Sequence, residues 1–339
     1  MISIKDIAEK CNLSISTVSK ALNSYSDVSD STKQKVLKVA AECGYFPNSM
    51  ARALKTNCTH NLGVLFSDDM QSGLRHDHFA AILDAFKVEA EKRSYDISFI
   101  SNNMVLRGRP LTYLEHCRYR NFDGVCVACI DFQKPEVLEL IGSDIPVVTI
   151  DHIFNNRTSI NSAHVKGMQE LVTYIYNRGH RKIAYIHGKK SAVTEQRLTS
   201  FCKTLKNLGV DVPSKYLVEA AYRDPATTQK GVETLLNLSD PPTCILMPDD
   251  YAALGGMTAI EAAGLKIPGD ISIAGYDGIA LSQMVTPKLT TLLQDENKIG
   301  SEAAHRLIEQ IEDPLTTIIE NVLVPGKLIE GGTVASISP

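Results

Sequence analysis

The chain has 339 residues, 44% of them hydrophobic and 22% charged, with a formal net charge of −4. That length suits two or three compact units, and that composition excludes disorder as the main character of the chain. No apolar run approaches the ~20 residues that span a bilayer. The start, Met1-Ile2-Ser3-Ile4-Lys5-Asp6, lacks the basic and apolar regions of a secretion signal, so a cytoplasmic protein with reduced thiols is expected from its eight scattered cysteines. Residues 1–60 carry a charge of +3 and the remainder −7, a basic head on an acidic body.

Ile4, Ile7, Ala8 and Cys11 share one face of a helix, with Ser3 as its cap. Asn12-Leu13-Ser14 interrupts the pattern, and Ser14 can cap a second helix reaching Asn23 with Val18, Ala21 and Leu22 inward. The interval is that of a helix-turn-helix corner. A third helix is expected from about Asp30 to Cys43, ended by Gly44. The second helix exposes Ile15, Ser16, Thr17, Ser19 and Lys20. Short hydroxyls, one apolar chain and one cation can enter a major groove; the alternative is a solvated polar face.

Pro47 stops this head, and Asn48 can cap a helix of about two turns, too short to be stable alone. Leu54 between Arg52 and Lys55 suits an apolar wedge flanked by phosphate contacts in a minor groove; the alternative is that it packs onto the following domain.

From Asn61 onward short apolar runs alternate with amphipathic stretches. Strands are expected at Leu62–Phe66, Ile97–Ile100, Gly124–Cys129, Val147–Ile150, Ile183–His187, Cys244–Met247 and Ile271–Ala274. Helical patterns lie at Phe79–Arg93, Val165–Arg178, Gln196–Leu208, Thr228–Leu236 and Ala252–Ala263. Such alternation implies two doubly wound parallel sheets. Ligands in such sheets bind beyond the carboxyl ends of strands. There the chain places Asp68, Asp69, Asp131, Asp151, His152, Lys189, Lys190, Asp249, Asp250 and Asp277. Some are expected only to cap helices, Asp68 and Asp249 among them. Arg197 can clamp a hydroxyl or carboxylate, or pair with a neighbouring acid.

The blocks Ile4-Lys5-Asp6-Ile7-Ala8, Leu13-Ser14-Ile15-Ser16-Thr17-Val18-Ser19-Lys20-Ala21-Leu22-Asn23, Gly44-Tyr45-Phe46-Pro47-Asn48 and Ala51-Arg52-Ala53-Leu54 resemble, in order and spacing, the head of the lactose/galactose repressor family. Arg178-Gly179-His180-Arg181-Lys182-Ile183-Ala184, Glu195-Gln196-Arg197, Pro248-Asp249-Asp250, Gly275-Tyr276-Asp277 and Thr286-Pro287-Lys288-Leu289-Thr290-Thr291 are similar to later blocks of that family. The resemblance implies a small all-α helix-turn-helix head at 1–47, a hinge at 48–60, and a two-lobed α/β domain like that of periplasmic binding proteins at 61–339. Its first lobe would take about 61–160 and 290–322, its second 161–289 and 323–339. It implies operator contacts from Ser14, Ile15, Ser16, Thr17, Ser19, Lys20, Asn23, Arg52, Leu54 and Lys55. It implies effector contacts from Arg197, Asp250 and Asp277, with His78, Phe79, Asp151, His152 and Tyr222 beside them. The partners expected are near-palindromic double-stranded DNA, a sugar or sugar derivative (a nucleobase, a sugar phosphate or no effector being the alternatives), and a second copy of the chain.

Other chemistries are set aside. Cys126 and Cys129 sit in an apolar strand run, and His76-Asp77-His78 is too contiguous to converge on one ion. No activated nucleophile and no phosphate loop is evident, so no cofactor, metal or catalytic residue is expected. A transport solute-binding protein would share the two lobes but not the head.

Overall fold

The computed structural model describes residues 2–23, 25–46, 53, 58–67, 73–101 and 104–338. Arg52, Leu54 and Lys55 of the expected hinge, and Asp68 and Asp69, lie outside the described residues. The chain divides into two units at Thr59 and His60.

In the first unit, the caps set the helix boundaries. Ser3 and Asp6 close a capping box on α1 (Ile4–Cys11), and Asn12 ends it in the left-handed region at φ 53°. The Ser14 hydroxyl accepts from the Thr17 amide at 3.0 Å and starts α2 (Ile15–Leu22). Ser29 does the same for α3 (Asp30–Glu42). Ile7, Ala8, Cys11, Val18, Ala21, Val28 and Val36 form the core, so the α2 face bearing Ile15 and Ser16 is left outward.

The second unit holds two six-stranded sheets. The first lobe contributes β1 (Asn61–Phe66), α4 (Asp77–Lys92), β2 (Asp96–Phe99), a hairpin of β3 (Val105–Leu106) and β4 (Arg109–Pro110), α5 (Tyr113–Arg120), β5 (Gly124–Ala128), α6 (Pro135–Ile141), β6 (Val147–Ile150) and β7 (Thr158–Ser162). The chain then enters the second lobe: α7 (His164–Asn177), β8 (Ile183–His187), α8 (Ala192–Asn207), β9 (Leu217–Glu219), α9 (Pro225–Leu236), β10 (Cys244–Leu246), α10 (Asp250–Ala262), β11 (Ser272–Asp277) and β12 (Thr290–Leu293). It returns for α11 (Glu296–Glu312) and β13 (Asn321–Val324), and crosses a third time to β14 (Lys327–Ile329).

The first sheet runs β13-β7-β6-β5-β1-β2, the second β14-β12-β11-β10-β8-β9. All pairs are parallel except β12 with β14, so the second sheet ends in an antiparallel edge strand where a purely parallel one was expected. Thr290–Leu293, expected in the first lobe, pairs with β11 in the second sheet, Ala274 opposite Thr290. The crossing therefore falls after Leu293.

Strand β7, Thr158-Ser159-Ile160-Asn161-Ser162, is buried throughout although largely polar. Part of its polarity is absorbed across the sheet: the Asn161 amide donates to Asn321 Oδ1 at 2.7 Å and Ser159 to the same oxygen at 3.3 Å. A polar strand satisfied by its neighbour carries no apolar signal in sequence, and it was not expected.

Alternation along each strand divides the cores. Leu62, Val64, Cys126 and Val148 face α4 and α11, while Leu65, Val125, Val127 and Val147 face α5 and α6. In the second lobe Ala184, Ile186, Ile245 and Ile273 meet α9 and α10, and Ile183, Tyr185, Cys244 and Leu246 meet α7 and α8. The Cys126 thiol lies in the first of these cores, and burial pushes it up to about 12. Helices α4 and α11 approach so closely that a Cβ on Gly300 would stand 2.1 Å from the Ile82 carbonyl oxygen. Among the described residues no helix is long and apolar enough to cross a membrane.

Candidate functional site

In the head, Ile15 is 48% exposed, Ser16 and Asn23 are exposed, and Thr17, Ser19 and Lys20 are half-buried. Several of these side chains are engaged. The Ser14 hydroxyl caps α2, the Lys20 ammonium pairs with Asp27, and the Asn23 amide donates to the Ser19 carbonyl at 2.7 Å. Ile15 and Ser16 are thus the readiest groups on the outward first turn, whose free backbone amides favour an anion.

In the second unit, polar side chains gather where strands end. Arg197, one turn into α8, is 3% exposed. Its Nε donates to His164 Nδ1 at 3.3 Å and its Nη1 to the Pro248 carbonyl at 3.2 Å. Its Nη2 is 3.7 Å from Asp277 Oδ1, and the guanidinium lies 3.7 Å over the Tyr276 ring. Burial opposes the charge, but Tyr222, Tyr276 and Asp277 outweigh it and hold the guanidinium above its ordinary range. The Tyr222 hydroxyl shares a 3.0 Å hydrogen bond with Thr194, and its ring fills the space beside Gly188, where a Cβ would meet it at 2.0 Å. Asp277 ends β11 at φ 107° and accepts from the Gln294 amide at 2.7 Å. A non-glycine residue held at such a φ is strained, and strain of this kind collects at binding sites.

Asp151, after β6, also has a positive φ, 57°. Its Oδ1 accepts from the Ser162 amide at 3.0 Å and lies 3.2 Å from His164 Nε2. Burial would raise the Asp151 carboxyl, but His164, the Ser162 amide and His78 together lower it. His152 stacks on Phe132 at 4.2 Å and 8° and touches Phe154, an aromatic shelf in the first lobe. Phe79 packs edge-on to His76 and against Phe66.

His78 is buried with Nδ1 3.2 Å from Glu296 Oε1. Burial alone would depress it, but the hydrogen bond to Glu296 and the charges of Asp277, Glu296 and Asp151 raise it above the ordinary histidine value. Stability from a histidine with a raised folded pKa is complete below the unfolded value of about 6.5 and is lost as pH climbs through the folded one. The Tm difference between the wild type and His78→Gln is therefore expected to shrink as pH rises above about 6.5. A constant difference across that rise excludes a charged His78.

Asp250, expected to line the cleft, is 0% exposed and fully committed inward. Its Oδ2 accepts from the Gly278 and Ile279 amides at 2.9 and 3.0 Å, and its Oδ1 from the Thr291 hydroxyl at 2.6 Å. Burial and the neighbouring Asp277 push its carboxyl up to about 8. It fixes the turn that presents Asp277. Asp249 caps α10, as expected, through the Ala252 amide, and accepts from the Arg223 amide at 2.8 Å. His164, Gln294 and Glu296 were not foreseen. Gln294 follows a Thr-Thr-Leu-Leu run that, read as a strand, would have drawn attention to it.

Residues 3–48 match the model of the lacI family of bacterial regulatory proteins, and residues 172–334 that of a periplasmic binding protein-like domain. The chain is 32% identical over 329 residues to the probable HTH-type transcriptional repressor ExuR of Bacillus subtilis, covering 95% of this chain and 96% of that one. It is 30% identical over 331 residues to the ribose operon repressor of Haemophilus influenzae, covering 96% of each. Among solved structures, the lac repressor dimer bound to operator and the anti-inducer ONPF superposes with a TM-score of 0.82 at 26% identity, covering 98% of this chain and 99% of that one. The complex of the transcriptional regulator CelR with cellobiose shares the fold, with a TM-score of 0.71 at 19% identity over 98% of this chain and 100% of that one.

Proposed function

This chain belongs to the lacI family of bacterial regulatory proteins, and on that premise we propose that its two-lobed unit takes a sugar or sugar derivative whose binding sets the grip of the head on operator DNA. The observation that carries the effector reading is Arg197. A guanidinium buried against Tyr276, beside Asp277 and at the ends of the strands, offers donors, an acceptor and an aromatic face together, the set that hydroxyl-bearing rings require. The His152 shelf supplies a second flat apolar surface. The ribose operon repressor is named for a sugar, and CelR is solved with cellobiose.

Residues 1–47 form the DNA-reading head in this proposal and 48–60 the hinge. Ser14, Ile15, Ser16, Thr17, Ser19, Lys20 and Asn23 meet the major groove, and Arg52, Leu54 and Lys55 the minor groove. Two copies read a near-palindromic site. Effector and operator must influence each other's affinity by the same factor.

A thermal-shift panel of neutral sugars, sugar acids and sugar phosphates tests the effector reading. An effector raises Tm in proportion to the logarithm of its excess, and a panel without any such response overturns it. Ser16→Asp tests the operator reading. An acid in the first turn of α2 suits the helix dipole, so the head stays folded, but it faces phosphates. Specific operator affinity is expected to fall at least ~100-fold, and Leu54→Ala is expected to weaken it with effector binding retained. Anisotropy titrations giving wild-type operator affinity for both variants would remove these contacts from the proposal.

A further inference from the structure

The second unit crosses between its lobes three times, and two of those crossings carry side chains tied to Arg197. At the first crossing, Ser162 ends β7 and His164 begins α7. His164 is 1% exposed, and both ring nitrogens are occupied: Nε2 faces Asp151 of the first lobe at 3.2 Å, and Nδ1 faces Arg197 Nε of the second at 3.3 Å. An arginine only donates and a carboxylate only accepts. The ring is therefore the neutral tautomer with hydrogen on Nε2, and burial holds its pKa down in keeping with that. At the second crossing, the Gln294 side chain donates to Asp277, the acid beside Arg197, and the Gln294 amide donates to the Asp277 carbonyl at 3.1 Å. The third crossing joins the first, since the Ala163 amide donates to the Val324 carbonyl at 2.8 Å.

Asp151, His164, Arg197, Asp277 and Gln294 thus make one largely buried chain from the first-lobe end of one crossing to the start of another. We infer that His164 is a positioning residue: it holds Arg197 in register with both crossings, so that engagement of Arg197 is felt at the hinge between the lobes. The inference rests on the reading of Arg197 as an effector contact. Asp151, Arg197 and Asp277 act on the imidazole electrostatically and the Tyr276 ring lies 6.2 Å from it, and the tie is mechanical, through the hydrogen bonds on either side of the ring and the 3.7 Å ion pair of Arg197 with Asp277.

The test uses the full-length protein without effector. Backbone hydrogen exchange is compared in the wild type, His164→Phe and His164→Gln. Phenylalanine fills the space but can neither accept from Arg197 nor donate to Asp151. It is expected to speed exchange of both the Ser162 and the Gln294 amides by about fivefold or more, the change one ordinary hydrogen bond makes to an opening equilibrium. Glutamine, which can donate to Asp151 and accept from Arg197, is expected to keep both rates near wild type. A change confined to Ser162 and its neighbours on α7 would mean that His164 is only a local packing residue, and overturns the inference. So do equal rates in all three proteins. Nitrogen NMR of histidine-labelled wild type gives an independent reading that needs no variant to fold: Nδ1 unprotonated supports the tie, and Nδ1 protonated breaks it. These measurements contain no sugar, so an effector panel without a response leaves them standing. A responsive panel with unchanged exchange removes only the positioning role.

Discussion

Asp250→Ala is expected to lower Tm by roughly 10 °C, the larger of two strong effects anticipated here. Its carboxyl group is the acceptor for two backbone amides, Gly278 and Ile279, and for the Thr291 hydroxyl. Alanine leaves all three donors buried, at about 1–3 kcal/mol each before water enters, so a total of about 3–5 kcal/mol is expected. Asn in the same place retains one acceptor oxygen and should recover part of it. Calorimetry and urea melts check this. The expectation fails if the alanine variant melts within about 2 °C of the wild type, because the turn would then not depend on these bonds. Since that turn presents Asp277, effector binding should weaken along with stability.

Arg197→Lys is expected to separate the two activities. Lysine keeps a positive charge but cannot lie flat on Tyr276 while donating to His164 and the Pro248 carbonyl from fixed positions. Effector affinity is expected to fall at least ~100-fold, about 2.7 kcal/mol, while operator binding without effector stays near wild type. Anisotropy with labelled operator, titrated with the panel compound that stabilises the wild type, reads both. Retained response to that compound would show that Arg197 is a framework cation that does not touch the effector.

The two predictions mark different depths of legibility in the sequence. Asp277 drew attention because it follows a strand that announces itself by apolar alternation, and Arg197 because it opens an amphipathic helix pattern. Asp250 follows such a strand too, and for the same reason it was expected at the cleft. Its neighbour along the chain, however, decides its direction: Asp249 caps α10, and Asp250, one residue into the helix, is turned toward Gly278 and Thr291. Adjacent residues at a helix start point apart, and residue type does not say which groups each one meets.

What the sequence determined alone is local and periodic. Helix caps at Ser3 and Ser14, the inward stripe of the head, and the alternation of apolar runs with amphipathic helices follow from spacing within a few residues. Tertiary structure alone decided the placing of polar strand β7, the antiparallel edge β14, the lobe to which Thr290–Leu293 belongs, and the tie from Asp151 through His164 to Gln294. The physical reason is shared. Each depends on hydrogen bonds between groups brought together by the fold from separate segments, and such bonds leave no period in the chain that makes them.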